Sequence, residues 1–115
     1  MAVSGVHGLI YTSEPEAVRA IFRDVFGWEH VDAGEGWLIF KLPPAELGIH
    51  PEKSGWTHQL ALICDDLEAT TAELRAKGIE FRDDLSDEGY GITVTMVLPG
   101  DVEIELYEPR HPTPL

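Results

Sequence analysis

"THQLALICDDLEATTAELRAKGIEF", residues 57–81, reads as strand, helix and strand, and it decides the fold because the chain has already made the same moves once. "THQLALIC" (57–64) is a short apolar run of strand type. In "DDLEATTAELRAKG" (65–78), Asp65 or Asp66 can cap a helix that Gly78 ends. "IEFRDD", "GITVTMVL" and "VEIELYE" then predict three more strands, with a long turn around "SDEGYG" (86–91).

The first half follows the same order. "GVHGLIY" (5–11) alternates as a strand. "SEPEAVRAIFRDVFG" (13–27) carries Val18, Ile21, Phe22 and Val25 on one helical stripe, with Ser13 and Glu16 spaced as a capping box and Gly27 at the stop. Strands are expected near 28–33, 36–42 and 46–50, divided by the turn signals "DAGE" and "PPA". His7 and His58 are 51 residues apart, and so are Gly27 and Gly78. The closing strands, "LGIHPE" and "IELYEP", align Gly48 with Glu105 at an offset of 57. The expected architecture is α+β: two tandem β-α-β-β-β modules forming a curved mixed sheet. They fall at about 5–50 and 57–109, joined by a linker at about 51–56, in one domain of 115 residues.

Composition narrows the functions that such a domain can serve. A net charge of −13 repels nucleic acid phosphates and anionic membranes, and suits cationic ligands. No apolar run is long enough to span a bilayer, and "MAVSGVHGLIYTSEPEA" has no basic segment leading into an apolar stretch, so the expected location is the cytoplasm. The single cysteine, Cys64, forms no internal disulfide and has no basic neighbour to activate it, so it reads as a small buried apolar residue. Trp28, Trp37 and Trp56 read as apolar anchors.

Alternate residues of a strand share a face. His7 therefore groups with Leu9 and Tyr11, His58 with Leu60 and Leu62, and Glu105 with Glu103 and Tyr107. The repeat makes His7 and His58 equivalent points facing across its axis, and Glu105 joins them if its strand lines the same concave surface. Two imidazoles and one carboxylate with open positions are a ligand set for Fe(II), and the same donors suit Zn, Mn, Ni or Co. Glu103 has no partner in this set and is expected nearer the rim.

The stretches "VHGLIYTSEPEAVRAIFRDVFGW", "THQLALICDDLEATTAELRAKGIEF" and "PGDVEIELYEP" resemble the signatures of the vicinal oxygen chelate superfamily. That superfamily includes glyoxalase I, extradiol dioxygenases, fosfomycin resistance proteins, methylmalonyl-CoA epimerase and bleomycin resistance proteins. The resemblance implies a divalent metal on His7, His58 and Glu105. The fourth-strand ligand of glyoxalase I and the epimerase falls on Gly48, which counts against both activities. Leu9 stands where the fosfomycin enzymes have a Thr, and "LPGDV" where the family often has "DPDGN". His50, two residues after Gly48, is the candidate acid/base or substitute ligand. Tyr107, like Tyr11 and Tyr90, is a weaker candidate, for orienting an anionic substrate.

Two functions follow from these expectations. One is a metal enzyme acting on a small substrate with vicinal oxygens, dioxygenase-like with iron and lyase- or isomerase-like with a redox-silent metal. The other is a metal-free module that sequesters a small ligand, as bleomycin resistance proteins do. Either is expected to work as a homodimer.

Overall fold

The computed structural model describes residues 4–115. Its elements in chain order are α1 (Pro15–Asp24), β1 (His30–Asp32), β2 (Leu38–Phe40), β3 (Ala61–Ile63), α2 (Leu67–Ala76), β4 (Glu80–Phe81), β5 (Ser86–Asp87), β6 (Gly91–Leu98) and β7 (Val102–Pro109). The fold is α+β, with two helices and a mixed sheet.

The longest ladder is the antiparallel hairpin of β6 and β7, in register from Gly91↔Pro109 to Leu98↔Val102. Both strands alternate, so each contributes an apolar and a polar face. Val94, Met96, Leu98, Ile104 and Leu106 are buried on one side. Onto that side pack Leu67 and Leu74 of α2 and Val18 and Phe22 of α1, which together make the core. Full burial of Leu67, Ile104 and Leu106 stabilises the fold by about 1.5–3 kcal/mol each. The opposite face carries the register pairs Thr93↔Tyr107, Thr95↔Glu105 and Val97↔Glu103. β3 adds to β7 in parallel, with Ala61 beside Glu105 and Leu62 beside Leu106. β4 closes the other side of β6, so the sheet runs β3-β7-β6-β4.

α2 begins where the acidic pair predicts. Asp66 is the N-cap, its carboxylate accepting from the Ala69 amide at 3.0 Å, and Glu108 reaches over from β7 to accept from the Leu67 amide at 2.9 Å. Two otherwise orphaned amides are thereby satisfied and a helix start is tied to the sheet. Gly78 follows the helix at φ 89°, a conformation costly for any side chain.

α1 forms over the expected stripe, but its cap differs from the expected box. Glu14 is the N-cap and makes no side-chain cap, while the Glu14 amide donates to Thr12 Oγ1 at 3.1 Å. Phe22 stacks on Trp28 at 4.9 Å and meets Phe40 edge-on at 5.8 Å, which fastens α1 to the two-stranded unit of β1 and β2. The turn in that unit is organised by Asp32, whose carboxylate accepts from the amides of Gly34 and Gly36.

The structure departs from expectation in three segments. Residues 5–11 and 46–50 enter no ladder. Alternation marks a segment as able to pair, but a strand exists only when a neighbour takes up its backbone groups. Both segments leave apolar side chains in water: Val6 is 92% exposed, Leu47 and Ile49 each 88%. The third departure is "SDEGYG", where Ser86 and Asp87 pair with Thr93 and Ile92 as β5 instead of forming one long turn. The Asp87 carboxylate accepts from the Gly89 amide and tightens that bend.

Candidate ligand-binding cleft

On the polar face of the sheet lies a cleft of roughly 240 Å³, lined by Gln59, Leu60, Arg82, Thr95, Glu103 and Glu105. Its floor follows from the ladder: Thr95 of β6 is directly opposite Glu105 of β7, and Ala61 of β3 flanks Glu105 on the other side. Arg82 leaves β4 and reaches across. Its Nη1 donates to Glu103 Oε1 at 2.5 Å, its Nη2 to Thr95 Oγ1 at 3.4 Å, and its backbone amide to the Thr95 carbonyl at 3.0 Å. Asp83 accepts from the Thr95 amide at 2.8 Å, so the exit from β4 holds both backbone groups of Thr95 on that edge of β6.

Glu105 is half-buried, and burial pushes its carboxyl above the ordinary carboxylate range. The facing Gln59 amide pulls the other way, and the charges of Glu88 and Asp83 add to the rise. Glu103, by contrast, is an exposed carboxylate ion-paired to Arg82 at the rim. It therefore has a partner that its sequence position did not reveal.

Beyond Glu105 on the same face stands Tyr107. Its hydroxyl donates to the Tyr90 carbonyl at 3.3 Å, and its ring meets those of Tyr90 at 5.9 Å and His111 at 5.6 Å. Burial is the main cause that raises both tyrosine hydroxyls, with nearby negative charge adding to it. Gly91 makes room for the Tyr107 ring: a Cβ there would lie 2.5 Å from Tyr107 Cε1 and 2.7 Å from the Glu108 carbonyl oxygen.

The other expected site residues are exposed and lie outside the β6–β7 hairpin. His7 is exposed within the unpaired segment 5–11. His50 is exposed, its ring nitrogen 2.8 Å from the Pro51 carbonyl oxygen. His58 is exposed with its ring 5.8 Å from that of Trp56. β3 sets Ala61 beside Glu105, and just before that strand Gln59 is the residue whose amide faces the Glu105 carboxylate. Among the described residues, no three His, Cys, Asp or Glu side chains are grouped to hold a metal ion. His7, His58 and Glu105 are thus not brought together as such a group within this one chain. Cys64 is half-buried against the core, and burial pushes its thiol up, as a packing residue requires.

Gln59, Thr95 and Arg82 are the cleft residues that sequence reading missed. Thr93 and Thr95 alternate with Val94 and Met96, which is a readable sign of a polar face on that strand. Arg82 carries no such sign.

A sequence profile of the glyoxalase/bleomycin resistance protein/dioxygenase superfamily matches residues 58–115, half of the chain, and the chain belongs to that superfamily. Among solved structures it is similar to TnmS3, an antibiotic binding protein from Streptomyces sp. CB03234. The two are 22% identical over 95% of this chain and 98% of that one, with a TM-score of 0.69. It is also similar to a superfamily member from Sphaerobacter thermophilus DSM 20745, at 20% identity over 92% and 98% of the chains and a TM-score of 0.67. A lactoylglutathione lyase from Agrobacterium tumefaciens is 20% identical over 86% and 88%, with a TM-score of 0.62. At these identities the likeness is one of fold. Curated proteins offer no match. No helix among the described residues is long and apolar enough to cross a membrane.

Proposed function

We propose that this chain binds a small organic molecule in the Glu105 cleft, through direct contacts with its side chains. The observation that carries this reading is the cleft itself: polar groups from β6, β7, the approach to β3 and the exit from β4 converge on one open concavity on the uncovered face of the sheet. Such a convergence of a few placed polar groups is what a ligand site requires. The fold is shared with an antibiotic binding protein, which suits the same role.

The competing reading is a metal centre on His7, His58 and Glu105. Chelator-treated protein separates the two. A fragment screen by thermal shift and NMR should find ligands that move the Gln59, Leu60 and Thr95 resonances without added metal. Leu60→Trp, which fills the cleft from outside the ladder, should abolish that binding. Binding that appears only when Fe, Mn, Zn or Ni is restored, and that disappears in His58→Ala, would sink the direct-contact reading.

The same reading includes a homodimer. In the second half of the chain, residues 61–63 pair in parallel with 105–107. Their repeat counterparts, 10–12 and 48–50, stand unpaired with apolar side chains exposed. A second copy offers matching unpaired segments, and pairing them would remove both the open backbone groups and the exposed apolar surface.

A further inference from the structure

Resting on the cleft reading above, we propose that the ligand carries an organic ammonium group, seated between the Glu105 carboxylate and the ring faces of Tyr107 and Tyr90. The charge pairing around the cleft leads to this class. Arg82 is taken by Glu103 at 2.5 Å, with Asp83 at 3.9 Å, and Arg110 is taken by Asp87 at 2.6 Å. Glu105 has no Lys, Arg or His within ion-pairing distance among the described residues, although it is half-buried on the cleft floor. A carboxylate withdrawn from water without a counter-ion is costly, and a bound cation removes that cost.

The aromatic groups decide what kind of cation fits. Tyr107 follows Glu105 on the same face, with its ring over Gly91 and its hydroxyl tied to the Tyr90 carbonyl. The Tyr90 ring, tilted 52° to it, completes an aromatic corner whose faces attract an alkylammonium. A second, independent feature points the same way. Glu46 Oε1 is buried with no hydrogen-bond partner, and its carboxylate is near enough to Tyr107 to oppose ionisation of that hydroxyl. Negative potential therefore reaches the corner from two segments of the chain. A bare metal ion would need grouped donors, whereas an ammonium with apolar substituents uses ring faces and a single carboxylate together.

The test uses three soluble probes that share a benzyl group and differ in charge: benzyltrimethylammonium, benzyl alcohol and phenylacetate. Each is titrated into chelator-treated full-length protein and followed by NMR at Gln59, Thr95 and the tyrosine rings. The cation should bind about tenfold or more tightly than benzyl alcohol, and phenylacetate weakest. Glu105→Gln should lose about tenfold for the cation and leave benzyl alcohol unchanged. Tyr90→Leu, at a ring 56% exposed, should weaken the cation several-fold. Equal affinity for cation and alcohol, or full cation affinity in Glu105→Gln, would overturn the ammonium assignment while leaving the cleft standing. If none of the three probes moves a cleft resonance, the cleft reading falls and the assignment falls with it.

Discussion

Glu105 owes its behaviour to one contrast with Glu103, two residues away on the same strand. Glu103 is exposed and met by a guanidinium, whereas Glu105 is drawn in beside an amide and two residues from a tyrosine. The folded state holds the Glu105 proton more tightly than the unfolded chain does. Folding therefore takes up a proton in the interval between the two titrations, and stability falls as pH rises through the raised, folded-state value. Below the ordinary carboxylate range the effect is absent. Glu105→Gln should accordingly be more stable than the parent at neutral pH, with the difference vanishing in acid, as urea unfolding across a pH series will show. An equal or lower stability at neutral pH would mean that Glu105 is solvated after all. At Gly91, the close approach of Tyr107 and of the Glu108 carbonyl leaves no space for a side chain. Gly91→Ala should cost about 1–3 kcal/mol in chemical denaturation and shift the Tyr107 and Tyr90 ring resonances.

At the scale of elements, the hairpin of β6 and β7 carries both the core and the cleft, one on each face. Leu106→Ala should cost about 2–5 kcal/mol, because Leu106 is 1% exposed and its neighbours cannot collapse into the space. The start of α2 offers a more selective probe. Asp66→Ala and Glu108→Ala each remove one carboxylate acceptor from an α2 amide, and each should lower stability by about 1 kcal/mol. Both losses are measurable by denaturation, and the pair should be less than additive if the two acceptors hold the same helical turn. Helix α2 and the strands around it were legible because their signals are local: an acidic cap, a glycine at φ 89° and apolar residues at strand spacing. The capping box of α1 was local too, yet Glu14 and not Ser13 stands at the N-cap, with Thr12 accepting from its amide.

For the whole molecule, the two halves of the chain are unequally finished. The second half closes its own ladder, whereas the first half keeps α1 and the β1–β2 hairpin through the Phe22–Trp28–Phe40 packing and leaves its outer segments unpaired. A homodimer at micromolar concentration is expected from sedimentation or light scattering. Val6→Asp with Ile49→Asp should shift it toward monomer with little loss of helix signal, since neither residue packs against the core. A parent protein that stays monomeric would remove the second copy as the partner of those segments.

What the sequence by itself determined was the two glycine-stopped helices, the apolar face of the main hairpin and a carboxylate at position 105 with no side chain at its repeat counterpart, Gly48. Those depend on spacing along the chain, which local sterics and hydrophobic burial read directly. Only the tertiary structure decided which residues stand beside that carboxylate. The parallel register of β3 on β7 sets Ala61 next to Glu105, the Gln59 amide just before that strand faces the Glu105 carboxylate, and the path out of β4 brings Arg82 to Glu103. Register is a long-range choice between chain segments more than forty residues apart, and a shift of one residue exchanges the two faces of a strand.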